Sequence, residues 1–278
     1  MMRLLILFVG LWGCAQAATP VRVVSQAVGT DELLIALAGP GQIAALSHIS
    51  KQAEFSPVAE QAKAYPSISM GDSEAILKFK PTLVLFTDYS RAELVANVKK
   101  MGVKVIVFDR YATIEDVYSN LRTLGKELGR EERAEALIAE CEARMVRLRE
   151  KLKGVKPVRV VNASTYGLLS GAGTTFQDVC DHAGAENLAT TLGGMKGVAP
   201  EVSEKMLMWP IDAVVLGGDG TAEELLAPLR GILPYRHIAA VKKGRAVVLP
   251  SALLASVSHH RIEAYERLAR GLHPEVFK

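Results

Sequence analysis

The chain has 278 residues, 49% hydrophobic and 23% charged, and 33 basic against 30 acidic side chains leave a formal charge of +3. That composition lies far from the apolar poverty of disordered chains, and the length suits roughly two lobes, each able to bury a core. Near-balanced charge without a basic run excludes a nucleic-acid-binding protein, and 6% aromatic residues argue against a ring-lined carbohydrate groove.

Residues 1–17 read as an export signal. Met1-Met2-Arg3 is a short positive start, residues 4–12 are apolar, and Ala15-Gln16-Ala17 has the small-x-small form of a cleavage site. The apolar run is shorter than the ~20 residues of a membrane-spanning helix. A mature chain in the periplasm, starting near Ala18, is expected. Leu11-Trp12-Gly13-Cys14 also resembles a lipobox, so a lipid anchor through Cys14 is the alternative.

Residues 18–112 then alternate short β-rich runs with helices. Strands are expected over 21–25, 43–47, 83–86 and 103–108, and helices over 29–38 and 91–101, the second closed by Gly102. Continuous apolar strands between amphipathic helices imply a parallel sheet covered on both faces. Residues 113–156 turn helical. The run 131–153 has no Gly or Pro, and Ala134, Leu137, Ile138, Cys141, Met145, Leu148 and Leu152 step by three and four along one face. Over 157–278 the α/β pattern restarts, with strands over 158–162, 213–216 and 246–249 and helices over 174–183 and 259–272. The fold class is therefore α/β: two Rossmann-like lobes joined by a single long rigid helix, with a ligand crevice between them.

The two halves echo each other. Gly29-Thr30-Asp31-Glu32 is matched by Gly173-Thr174-Thr175-Phe176, and Ser73-Glu74 before Pro81 and a strand is matched by Ser203-Glu204 before Pro210 and a strand. Each Ser-Glu pair is expected to open a helix, with the serine as N-cap and the glutamate in the first turn.

Glu74-Ala75-Ile76-Leu77-Lys78-Phe79-Lys80-Pro81-Thr82-Leu83-Val84 resembles the "E-x-I-x-x-L-K-P-D-L-V" segment of the periplasmic substrate-binding proteins of ABC importers for cobalamin, ferric siderophores and haem. Gly171-Ala172-Gly173-Thr174-Thr175-Phe176, with Ala183-Gly184 and Asn187 downstream, is similar to their "G-x-G-T-x-F…A-G-G-x-N", and Val202-Ser203-Glu204 to "V-S-x-E". Thr82 departs from the usual Asp, and Trp209-Pro210-Ile211-Asp212 is stretched relative to "x-P-D". The resemblance implies a monomeric extracytoplasmic receptor that performs no catalysis. It holds no resident cofactor or metal, captures a bulky metal chelate and delivers it to a transmembrane ABC permease. Corrinoid and ferric-siderophore cargo rank first, haem next. Glu74 and Glu204 are then the permease-docking pair, one per lobe.

Residues following the strands should line the crevice, and His48, Tyr89, Tyr166 and His259 are the candidate ligand contacts, because rings and imidazoles stack on chelates or ligate their metal. Two other functions are weighed. His48, Asp88, Asp219 and His259 could converge into a bare metal-ion receptor. A secreted α/β hydrolase lacks support, for there is no Gly-x-Ser-x-Gly elbow and no Lys-bearing phosphate loop. Gly171 to Thr175 reads as a tight turn with a threonine N-cap. Cys141 and Cys180 read as small buried hydrophobes, and His237 and His273 as surface residues.

Overall fold

The structure, a computed structural model, describes residues 21–69, 72–201 and 203–278. The expected export signal, Cys14 included, lies outside the described residues.

The first lobe is built on five parallel strands: β1 (Val23–Ser25), β2 (Ile43–Ser47), β3 (Ser67–Ile68), β4 (Leu83–Thr87) and β5 (Lys104–Phe108), in the order β3-β2-β1-β4-β5. β4 is buried along its whole length and apolar from Leu83 to Phe86, as suits a strand covered on both faces. The second lobe carries β6 (Val158–Asn162), β7 (Leu168–Ser170), β8 (Ala185–Asn187), β9 (Val198–Pro200), β10 (Ala213–Gly217) and β11 (Ala246–Leu249). Four of these form a parallel sheet in the order β11-β10-β6-β8, while β7 and β9 pair antiparallel beside it. The short strands β3, β7, β8 and β9 carry too few residues to display a period of two, and the sequence shows no sign of them.

The helices between the lobes follow from local chemistry. Thr113 and Asp116 form a capping box at the start of the Ile114–Leu128 helix, and Gly129 ends it at φ 64°, a left-handed conformation that glycine adopts without strain. The connecting helix then runs over Glu131–Leu152, and Ala134, Leu137, Ile138, Cys141, Met145 and Leu148 are its buried face. Through that face one continuous core joins Leu34 and Leu83 of the first lobe to Val160, Val215 and Leu268 of the second. Cys141 and Cys180 sit in this core as free thiols, and burial pushes both up, Cys141 to about 11.

Three local expectations are corrected. The N-cap of the Ser73–Leu77 helix is Asp72, whose carboxylate accepts from the Glu74 N–H at 2.8 Å, so Ser73 is already helical. The closing helix starts at Arg261 rather than 259. His273 is 3% exposed and its Nε2 lies 2.8 Å from the Gly184 carbonyl, so it ties the chain end to the second lobe instead of facing solvent. The glycine-rich turn is as expected: Gly173 has φ 75°, and the Thr174 hydroxyl accepts from the Gln177 N–H at 3.2 Å. Asn187 reaches back to it, donating to the Ser170 carbonyl at 2.8 Å and to Gln177 Oε1 at 3.0 Å. The spacing between that turn and Asn187 is thus a structural knot.

Candidate ligand crevice

In an open parallel sheet, loops leaving neighbouring strands in opposite directions leave a gap at the carboxyl edge where the strand order reverses. In the first lobe that point lies between β1 and β4, and in the second between β6 and β10. Gln26 and the Asp88-Tyr89-Ser90 turn flank the first, and residues 162–166 and 217–219 flank the second. A hollow of about 390 Å³ opens at the second, walled by Asn162, Tyr166, Gly217, Leu225, Leu229 and Leu254 among others.

The first-lobe wall is an aromatic pair. Tyr89 and Tyr111 meet edge to face with ring centroids 6.3 Å apart, and Tyr89 is 64% exposed. The Tyr111 hydroxyl donates to Asp88 Oδ1 at 2.8 Å. Burial and the neighbouring carboxylates of Asp88 and Asp109 push that phenol up to about 12, and the Tyr89 phenol is raised as well. Both are therefore neutral phenols at physiological pH.

Below the walls, the lobes meet along a buried polar seam. Glu32, 1% exposed on the first helix, accepts hydrogen bonds from Ser256 Oγ at 3.1 Å and from Ser258 Oγ, both of the second lobe. Burial pushes the Glu32 carboxyl up to about 7. Its neighbour Asp31, fully buried, accepts from the Ser47 N–H at 2.9 Å and from Ser50 Oγ, and burial raises it well above the usual carboxylate range. Gly29, in the first turn of this Val28–Leu37 helix, comes so close to the second lobe that a Cβ there would lie 2.1 Å from Val257 Cγ2. Gln26 is 7% exposed, and its Nε2 has no hydrogen-bond partner.

Arg261 is the largest member of the seam and is fully buried. Its guanidinium donates to Asp178 Oδ2 at 2.9 Å, to the Ser256 carbonyl at 2.9 Å, to the Ala112 carbonyl at 2.9 Å and to the Tyr111 carbonyl at 2.6 Å. The Tyr265 hydroxyl donates to the same Asp178 oxygen. An arginine of the second lobe thus holds the backbone that presents Tyr111 in the first. The planar five-donor fork suits this task, since four acceptors are met without leaving an ionised group unpaired.

The expected contacts are distributed unevenly. Tyr89 stands on the aromatic wall, and Tyr166, 86% exposed, lines the hollow on the opposite one. His48 begins a 3-10 turn just after β2, exposed, with Nδ1 3.2 Å from the Ile68 carbonyl. His259 lies elsewhere in its contacts. It packs on His260 with ring centroids 4.2 Å apart and the rings tilted by 36°, and the charges acting on it belong to His260 and to Arg133 and Arg144 of the connecting helix. Burial pushes it down to about 3, and its Nδ1 has no partner. His48, Asp88, Asp219 and His259 do not converge: among the described residues no group of three His, Cys, Asp or Glu side chains could hold a metal ion.

Glu74 and Glu204 are exposed in the first turns of Ser73–Leu77 and Ser203–Met206. The first helix follows the carboxyl end of β3. The second follows Glu201, whose N–H bonds the Gly167 carbonyl at 2.9 Å in the loop leaving β6. Both helices therefore start on the strand-end side of their lobes.

Neither the burial of Glu32 nor that of Arg261 is legible in the sequence. The available signal was two adjacent carboxylates, Asp31-Glu32, at the head of an otherwise apolar helix, and an arginine after Ser256-Val257-Ser258. Acids at a helix start are ordinary, so the pattern shows nothing of their burial.

A sequence description of the family named periplasmic binding protein matches residues 23–253. An uncharacterized ABC transporter substrate-binding lipoprotein of Bacillus subtilis is 24% identical over 214 residues, 74% of this chain and 66% of that one. A cobalamin-binding protein of Halobacterium salinarum is 24% identical over 213 residues, 74% of this chain and 57% of that one. The chain thus spans less than two thirds of the length of these curated relatives. Among solved structures, a periplasmic haem-binding protein of Pseudomonas aeruginosa superposes with a TM-score of 0.77 at 25% identity, covering 92% of this chain and 94% of that one. Among the described residues no helix is long and apolar enough to cross a membrane.

Proposed function

Since the chain belongs to the periplasmic binding protein family, we propose that it is an extracytoplasmic receptor that captures a metal chelate between its lobes and hands it to an ABC importer permease. The observation that carries this reading is the pair of switch points, one per lobe, each flanked by a tyrosine, Tyr89 or Tyr166. Two such walls accommodate a flat, bulky ligand whose faces stack on rings. Relatives named for cobalamin and haem support cargo of that kind. Corrinoids and ferric siderophores rank ahead of haem. Tyr89, Tyr166 and His48 are the proposed contacts for such a ligand, and His259, packed on His260, is a fourth candidate.

Delivery rests on Glu74 and Glu204, exposed at helix starts on corresponding sides of the two lobes. Rim carboxylates steer encounter with a cationic partner and set its salt sensitivity, while pairs desolvated at the interface contribute about 2 kcal/mol or more. The double variant Glu74→Ala/Glu204→Ala is expected to bind cargo as the parent does, to keep its melting temperature within a few degrees, and to lose most uptake through the cognate importer. Unimpaired uptake refutes docking at this pair, and lost cargo affinity places them in the crevice instead. Export is tested by intact mass of the natively secreted protein: loss of residues 1–17 is expected, and diacylglycerol on Cys14 identifies the anchored form.

A further inference from the structure

We infer that the crevice selects a neutral or cationic chelate, such as a corrinoid or a hydroxamate complex, over one bearing carboxylates or catecholates. This rests on the reading that cargo sits between the lobes.

The exposed charges nearest the aromatic pair include two carboxylates, Asp88 and Asp109. Asp88 accepts the Tyr111 proton, and Asp109 adjoins it. On the opposite wall the strand-end residues are Asn162, Ser164, Thr165 and Tyr166, followed by Asp219 beyond β10, with no lysine or arginine among residues 162–166 or 217–220. Arg110, next to Tyr111, is drawn off by Asp116 at 2.9 Å, and Arg91 lies with Asp72 and Glu93 in a separate hollow. Lys51 is half-buried in the turn after β2. An anionic chelate would therefore lose water against exposed Asp88, Asp109 and Asp219, while the guanidinium beside Tyr111 is already paired with Asp116. Like charges brought together in a desolvated site oppose binding strongly. A neutral chelate with amide edges meets acceptors suited to its N–H groups, and a cationic one gains directly.

The tyrosines reinforce the selection. A phenolate that ligates ferric iron has given up its proton, and a neighbouring cation is what makes that easy. Here the neighbours are carboxylates, and the Tyr111 proton is held between the phenol and Asp88. The rings therefore offer faces and a hydroxyl to a chelate whose metal is already satisfied.

The test titrates the mature protein with five probes of graded charge: diaquacobinamide and ferrioxamine B as cations, ferrichrome as a neutral chelate, hemin with its two propionates, and the tris-catecholate of ferric 2,3-dihydroxybenzoate. Tyrosine fluorescence and calorimetry, at low and high salt, give the affinities. At least one cationic or neutral probe is expected to bind at least tenfold more tightly than hemin and the catecholate. Asp88→Asn/Asp109→Asn should narrow that gap, and no phenolate-to-iron charge-transfer band should accompany any binding. Hemin or the catecholate binding as tightly as the best of the others, or such a band appearing, overturns the charge selection alone. Failure of all five to bind overturns the crevice reading on which it stands.

Discussion

Glu32 and His259 are both drawn out of water, and burial pushes each toward its neutral form from opposite sides of the pH scale. Glu32, raised from 4.5 to about 7, contributes stability that is complete below its unfolded value and lost as pH rises to about 7. His259, lowered from 6.5 to about 3, contributes stability present above its unfolded value and lost as pH falls toward 3. Asp31 acts with the first and His260 with the second. Between about pH 4.5 and 6.5 the two slopes oppose each other, each approaching 1.4 kcal/mol per pH unit. Urea unfolding across that range should show Glu32→Gln gaining on the parent protein as pH rises and His259→Gln gaining as pH falls. Parallel curves for parent and variants would mean that neither group is neutral in the folded state. Nothing in the sequence distinguishes these two from ordinary charged residues. That Tyr89 and Tyr166 lie in loops leaving strands is legible from the apolar runs before them, whereas burial of Glu32 depends on two serines more than two hundred residues away.

At the level of elements, the long ones were readable and the short ones were not. Residues 43–47, 158–162 and 246–249 are strands to the residue, and the connecting helix differs from its expected span by a single residue at its end. These segments declare themselves by apolar runs or by a sustained 3.6-residue period. The two-residue β3 and the β7–β9 ladder are stabilised by tertiary contact and have no local signature. Caps fall between these cases. Ser73 is the expected N-cap, and the backbone puts Asp72 there instead. Asp72→Ala should therefore cost about 1 kcal/mol in chemical denaturation, and Ser73→Ala only a few tenths. Equal losses from both would return the cap to Ser73.

Across the whole molecule, three devices resist relative motion of the lobes: the connecting helix without a Gly or Pro break, the core that runs through it, and the polar seam of Glu32 and Arg261. Helices lacking those breaks curve only gently. Small-angle scattering with and without cargo should show nearly the same radius of gyration, and a contraction of the size produced by hinge closure would contradict this rigidity. Recognition then depends on the shape already present, with little ordering cost left to be met on binding.

Gly29 sets one dimension of that shape. Its missing side chain is the space that Val257 of the other lobe occupies. Valine is stiff about its one side-chain bond and cannot fold away. A methyl group added by Gly29→Ala would act as a shim driven into the foot of the crevice, tilting its walls by a fraction of an ångström each. Gly29 thus sets how closely the two lobes approach at this contact. A graded series, Gly29→Ala and then Gly29→Ser, should shift preference toward thicker chelates before it abolishes folding, and a panel of cargo thicknesses would read that gauge directly.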